Sequence, residues 1–265
     1  MRIAVLVKVA LDPNLMKVEA SGDVSVRQTS MAVAEYDRNA VQVALELRDK
    51  LGGGQVVALS ASTWGMSTER RKDYEGALRE VLAMGADEAH AIMDDSLSGL
   101  PLETAGALAA LAKSLGGFDI YVTGEGSSDM VSSQVAPMLA TILGIPAVTY
   151  VKRIDTSGSP GPLKLTRDLE DRLETVGASP PLVMSVTGES SQPKLPTLMQ
   201  IRRAFSKPLK YHSLPEVGAS PLGVRRVAVR ALVQKRKNIY IDGSKPDEAA
   251  SKLLSALAEE GVIRI

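Results

Sequence analysis

The chain has 265 residues, with thirty-one Lys+Arg balancing thirty-one Asp+Glu, so no global field exists to hold a nucleic acid or an anionic membrane. A hydrophobic fraction of 45% with only 3% aromatic residues dictates a core of Ala, Val, Leu and Ile, as in helix-covered parallel sheets, and excludes base stacking on aromatics as the mode of action. The absence of cysteine excludes disulfides, thiolate nucleophiles, zinc knuckles and Cys-ligated clusters, while the two histidines, His90 and His212, lie far apart and offer little to a metal.

Ile3 to Val7 opens the chain as a buried strand, too short for a signal peptide, and no apolar run approaches the length of a membrane span, so a cytoplasmic protein is expected. Further strand-length runs follow at Gln55 to Leu59, Glu88 to Ile92, Asp119 to Thr123 and Ala147 to Val151. Helical patterns separate them. Val41, Ala44, Leu45 and Leu51 keep helical spacing before Gly52-Gly53-Gly54; a second helix spans about Glu69 to Met84 and stops at Gly85. A third spans about Leu102 to Leu115 and a fourth about Val131 to Leu143, closed by Gly144 and Pro146. This alternation predicts βαβ units and a doubly wound, mostly parallel α/β sheet of Rossmann-like type over the first 150 residues. In such sheets a ligand sits at the carboxyl ends of the strands, which directs attention to Lys8 to Asp12, Ser60 to Gly65 and Thr123 to Gln134.

Beyond Val151, Leu163 to Arg167 and Arg172 to Val176 alternate around a polar turn and predict an antiparallel hairpin. Pro181 to Thr187 predicts another strand, followed by a basic, Pro-punctuated segment from Gln192 to Lys210. A short strand over Val224 to Val229, a solvated turn at Gln234-Lys235-Arg236-Lys237 and an amphipathic helix from Asp247 to Glu260 complete the chain. Ala250, Leu253, Leu254 and Leu257 share one face of that helix.

Neither a Gly-x-Gly-x-x-Gly after the first strand nor a Walker-type Gly-Lys-Ser/Thr occurs, so a bound nucleotide needs a different cradle. The best candidate runs from Thr123 and Gly124 through Ser127, Asp129, Ser132 and Ser133 to Gln134 and Val135. It leaves a strand and opens a helix, bringing backbone N–H groups and hydroxyls to a positive helix end. The same residues also suit a simple N-cap loop. Asp94-Asp95 reads either as a metal or acid–base pair or as a solvated turn, and Trp64 and Tyr36 either line a base pocket or pack.

Several segments together resemble the electron-transfer flavoprotein beta subunit family. Val5-Leu6-Val7-Lys8 with Asp12-Pro13 is similar to the family's opening strand and turn, and Tyr36-Asp37-Arg38-Asn39-Ala40-Val41 to its first helix. Ala77-Leu78-Arg79-Glu80, then Leu82-Ala83-Met84-Gly85-Ala86-Asp87, is close to the family wording. Pro193-Lys194-Leu195-Pro196-Thr197-Leu198-Met199-Gln200-Ile201 resembles its most specific signature, Pro-Arg-Tyr-Pro-Thr-Leu-Pro-Asn-Ile. The match covers essentially the whole chain.

The resemblance implies an electron carrier subunit rather than an enzyme. It implies a heterodimer with an alpha subunit that holds FAD, a fold like that of the adenine nucleotide alpha hydrolase and universal-stress group, and structural AMP. In electron-bifurcating members a second FAD takes that place and accepts hydride from NADH. By motif, Leu6, Ser60 and Ala61 fall beside the adenine, and Ser127, Asp129, Ser132, Ser133, Gln134 and Val135 on the phosphate loop. Gly126, Val131 and Ala34 stand where the family has polar residues, and Gln134-Val135-Ala136-Pro137 leans toward bifurcating members. Leu198 aligns with the leucine that enters a pocket on partner dehydrogenases, with Leu195, Arg202 and Arg203 beside it; for an isolated segment the default is that Leu198 is core and the cations are a solvated face.

The implied partners are the alpha subunit, acyl-CoA or other flavin dehydrogenases and a quinone oxidoreductase, with neither nucleic acid nor membrane insertion. The implied layout is a nucleotide-binding domain over 1–210, including a recognition loop at 191–207, and an arm over 211–265 that packs on the alpha subunit. Two rivals remain at this point: a universal-stress-type regulator, and a hydrolase relative that would need a Gly-rich ATP loop.

Overall fold

The opening apolar run folds as a strand at the centre of the sheet. A computed structural model of the protein, which describes residues 1–65, 68–157, 162–224, 226–231 and 237–264, shows β1 (Arg2–Leu6) paired in parallel with β4 (Gln55–Ala61) on one side and β6 (Ile120–Gly124) on the other. Outside β4 lies β5 (Glu88–Ile92), again parallel. Strand order therefore reverses between β1 and β6, which opens a crevice at their carboxyl ends.

Period-two alternation in these strands serves both faces. Ala4, Leu6, Val57, Leu59 and Ala61 form one core with α3 (Pro101–Ser114) and α4 (Val135–Leu143). Across the sheet lie α1 (Glu35–Lys50), whose Ala40, Val41, Ala44 and Leu47 are buried, and α2 (Thr68–Met84). The predicted strands of the first 151 residues and the first three helices stand within a few residues of their expected bounds. The fourth helix starts at Val135 rather than Val131, because Val131 and Ser133 adopt positive φ of 46° and 52°, which no helix tolerates.

The second half of the chain completes the same sheet. β10 (Leu182–Val186) inserts in parallel between β6 and β7 (Ala147–Asp155), and β8 (Leu163–Asp168) and β9 (Leu173–Ala178) form the expected antiparallel hairpin against β7. At the opposite edge β11 (Leu209–His212) pairs in parallel with β5 after α5 (Leu198–Ala204), which packs on α2. The result is a nine-stranded sheet. Two further short strands, β2 (Val9–Leu11) and β3 (Met31–Val33), pair antiparallel beyond the end of β1.

Two expectations are corrected. Val224 and residues 226–229 form no strand; an isolated bridge joins Arg230 to Asp23, and Arg226 lines the crevice. The two histidines, distant in sequence, are brought together when β11 pairs with β5: their rings stack with centroids 5.2 Å apart, and His90 Nδ1 lies 2.9 Å from His212 Nε2, so one ring donates to the other.

The chain divides into compact units at Met1–Arg230 and Ala231–Ile265. Residues 211–230, expected in the arm, belong to the first unit, where Leu214 and Val217 are buried. In the second unit α6 (Pro246–Glu259) buries none of its side chains and leaves Leu253 and Leu254 exposed; Lys237 pairs with Glu260. Most of the predicted turn at 234–237 lies outside the described residues.

Candidate functional site

The crevice between β1 and β6 is a cavity of about 140 Å³. Its floor is apolar, made by Leu6 and Ala61 from the strand ends and by Leu108 of α3. Gly124, at the end of β6, passes so close to the start of α1 that a Cβ there would sit 2.6 Å from Asp37 Oδ1 and 2.8 Å from both the carbonyl carbon and Cβ of Tyr36. Only glycine permits that approach. The loop then turns over the cavity through Ser127, Ser132 and Ser133 to Gln134, the N-cap residue of α4, and Val135 begins the helix.

Asp37 fixes the mouth of this cavity. The carboxylate is fully buried and accepts the Lys8 N–H (2.7 Å) on one oxygen and the Gly124 N–H (3.1 Å) on the other, tying the end of β1 to the end of β6. Burial raises its pKa from the ordinary carboxylate range to about 7, against the opposing pull of those two N–H groups.

Asp129 plays a different part from the one its place in the loop suggests. Its side chain turns inward and accepts from Lys8 Nζ (2.7 Å), Trp64 Nε1 (2.8 Å) and the Leu11 N–H (3.2 Å). Burial opposes its charge, but Lys8, the Ser127 hydroxyl and the Trp64 indole hold the carboxyl below the usual range. The bracket anchors the loop to β2 and leaves Lys8 neutralised, with its Nζ 3.2 Å from Ser127 Oγ.

Arg226 supplies a second cation, for which no local sequence pattern speaks. Its guanidinium lies 4.0 Å above the Trp64 ring and donates to Thr63 O (3.1 Å) and Ser98 O (2.7 Å), closing one side of the cavity. Beside it Thr63 Oγ1 is buried in the cavity wall without a hydrogen-bond partner, and the Gln134 amide makes no cap bond. A buried hydroxyl left open in this way is suited to a polar ligand atom.

Of the residues singled out from the sequence, Leu6, Ala61, Thr123, Gly124, Ser127, Ser132, Ser133, Gln134 and Val135 converge on the cavity. Ser60 does not line it: it is fully buried, one residue out of phase with Ala61. Trp64 packs at the edge, and the ring of Tyr36 lies against Gly188. Asp94 proves to be a turn residue, accepting from the N–H groups of Ser96 (3.0 Å) and Leu214 (3.1 Å). Among the described residues no group of three or more His, Asp or Glu is arranged to hold a metal.

Leu195, Leu198, Arg202 and Arg203 gather elsewhere, on α5 and the segment before it. Leu195 is 93% and Leu198 80% exposed, so neither is core. Leu198 stands in the first turn of a helix rather than on an open loop, because Thr197 and Gln200 form a reciprocal cap. Asn39 of α1 steadies the approach to this segment by donating to the carbonyls of Gly188 (2.9 Å) and Ser191 (2.7 Å).

The strand reversal, the apolar floor and the loop that rises into α4 all lie within the stretch from residue 3 to residue 217 that matches the family model described as Electron transfer flavoprotein domain. The chain belongs to the electron transfer flavoprotein domain family.

Proposed function

We propose that the protein is the beta subunit of a heterodimeric electron-transfer flavoprotein of the cytoplasm, and that it carries electrons between flavin dehydrogenases and an acceptor such as a quinone oxidoreductase. FAD is held mainly by the alpha subunit, and the crevice of this chain holds AMP. The observation that carries this reading is the cavity at the β1/β6 reversal, where the serine-rich loop enters α4 over an apolar floor. No helix among the described residues is long and apolar enough to cross a membrane.

The residues fit an adenine nucleotide. Leu6 and Ala61 offer a flat apolar surface for the base, the open Thr63 hydroxyl lies in the same wall, and the Ser127, Ser132 and Ser133 hydroxyls with the α4 terminus suit a phosphate. The nucleotide supplies no chemistry in this reading; it fills the crevice and stabilises the folded subunit by mass action. FAD supplies the redox chemistry from the alpha subunit, while this chain contributes environment and docking surface. The exposed Leu253 and Leu254 of α6 supply an apolar face for the alpha subunit.

Denaturing the purified heterodimer and separating the released nucleotides by chromatography tests the assignment. FAD and AMP are expected near one to one. Two FAD without AMP would place the protein among bifurcating members, with NADH as donor. A single FAD and no second nucleotide would remove the crevice from the account, and a colourless homodimer that retains ATP would point to a universal-stress-type regulator.

A further inference from the structure

Helix α5 spans Leu198–Ala204, far too short to persist in water on its own, and it keeps most of its apolar surface in solvent. Side chains from the neighbouring helix account for its order. From α2, Arg79 Nη1 donates to Ala204 O and Lys207 O, both at 2.9 Å, at the carboxyl end of α5, and its guanidinium lies 5.6 Å from the Phe205 ring centroid. In return Lys207, just past α5, donates its Nζ to Leu82 O (2.9 Å) and Ala86 O (2.6 Å) at the carboxyl end of α2. Each helix thus receives a cation from the other at the end where carbonyls are orphaned and the dipole is negative. The capping box of Thr197 and Gln200 closes the amino end, and Ala204 is the only residue of the helix that is buried.

What the clamp presents has a definite chemistry. Leu195, Leu198 and Met199 are exposed ahead of Arg202 and Arg203, and residues 193–210 contain five cations and no carboxylate. Lys207 is used internally; Lys194, Arg202, Arg203 and Lys210 remain for a partner. We propose that the reciprocal Arg79/Lys207 clamp is the positioning device of a docking surface, holding Leu198 rigidly for insertion into an apolar pocket with an acidic rim on a partner protein. The inference rests on the docking role proposed above. Its physical content is preorganisation: a helix already ordered before encounter loses less conformational entropy on binding.

The test uses the purified heterodimer and an acyl-CoA dehydrogenase of the same organism, reduced by its acyl-CoA. Second-order electron-transfer rates at limiting concentration are compared for wild type, Leu198→Ala, Arg79→Met, Arg79→Lys and Lys207→Met. Arg79→Met and Leu198→Ala are each expected to slow the reaction about tenfold, the size of effect that a central anchor carries. Arg79→Lys recovers part of the rate. Arg79→Met also speeds amide exchange over residues 199–205, with the FAD spectrum, nucleotide content and heterodimer intact.

A rate lowered by Leu198→Ala but untouched by Arg79→Met and Lys207→Met overturns the clamp and leaves the docking role standing. Rates unchanged in all the variants overturn the docking role itself. If Arg79→Met fails to assemble, Lys207→Met decides by the same readouts. Leu198-dependent binding to phosphatidylserine vesicles, with electron transfer unaffected, would replace the protein partner by a lipid surface and overturn the proposal.

Discussion

Replacing Gly124 by Ala is expected to cost about 3 kcal/mol of stability, the upper end of the range for overpacked sites, and to force the end of β6 away from α1. The added methyl meets Asp37 Oδ1 at 2.6 Å and two atoms of Tyr36 at 2.8 Å, one of them backbone. None of these can step aside cheaply, since Asp37 is bonded to both strand ends and Asn39, two residues later, is bonded to two carbonyls of the 188–191 segment. Gly126→Ala is the control. There the nearest atom is Ser133 Oγ at 3.2 Å, a side-chain hydroxyl that can rotate, so the loss should stay below about 1 kcal/mol. Urea denaturation of both variants measures the difference, with the slope unchanged and the midpoint displaced. Equal midpoints for Gly124→Ala and wild type would mean that β6 does not approach α1 as closely as described.

Stability is expected to fall as pH rises from about 4 to about 7, in a step assignable to Asp37. The sign follows from linkage. The unfolded carboxyl titrates near 3.8 and the folded one near 7, so between these values the folded protein holds a proton that the unfolded chain has released. Below this window both forms are protonated and the group is neutral in its effect. Above it the buried charge destabilises the fold by a full difference on the order of 4 kcal/mol. Asp37→Asn removes the step, yet its amide can accept only one of the two N–H groups from Lys8 and Gly124, which costs about 1 to 3 kcal/mol. The variant should therefore be less stable than wild type at pH 5, with the gap closing or reversing by pH 8. Denaturation midpoints across that range test this. Parallel curves for the two proteins would show that Asp37 is charged throughout.

Much of this architecture is legible in the sequence where local signals act alone. The strand at Glu88–Ile92 and the helix ending at Met84 were readable because Gly85, with φ of 137°, separates two clear periodicities. The three-residue strands β2 and β3 were not, since neither is long enough to show alternation and their pairing spans an irregular segment. Val224 to Val229 carries three β-branched valines, but such a run becomes a strand only when a partner edge is available, and here Arg226 lines the crevice instead. The loop residues of the candidate site were recognisable by type and order. Their supports, Asp37, Thr63 and Arg226, converge only in three dimensions, and the left-handed backbone at Val131 has no signal in a β-branched residue.

The placement of β11 has a consequence for how the chain is made. β5 is flanked by β4 on one side and by β11 on the other, and 122 residues separate His90 from His212 in the sequence. At a synthesis rate of about 5–20 residues per second, roughly 6–24 s pass between the emergence of the two. For that interval the nascent chain displays the hydrogen-bonding edge of a strand whose Ala89, Ala91 and Ile92 are fully buried in the finished subunit. Such an edge is a template for pairing with other chains. The segment that follows α5 is thus also the cover that pairs this edge, and a ribosome stalled before residue 209 would hold the chain with that edge open.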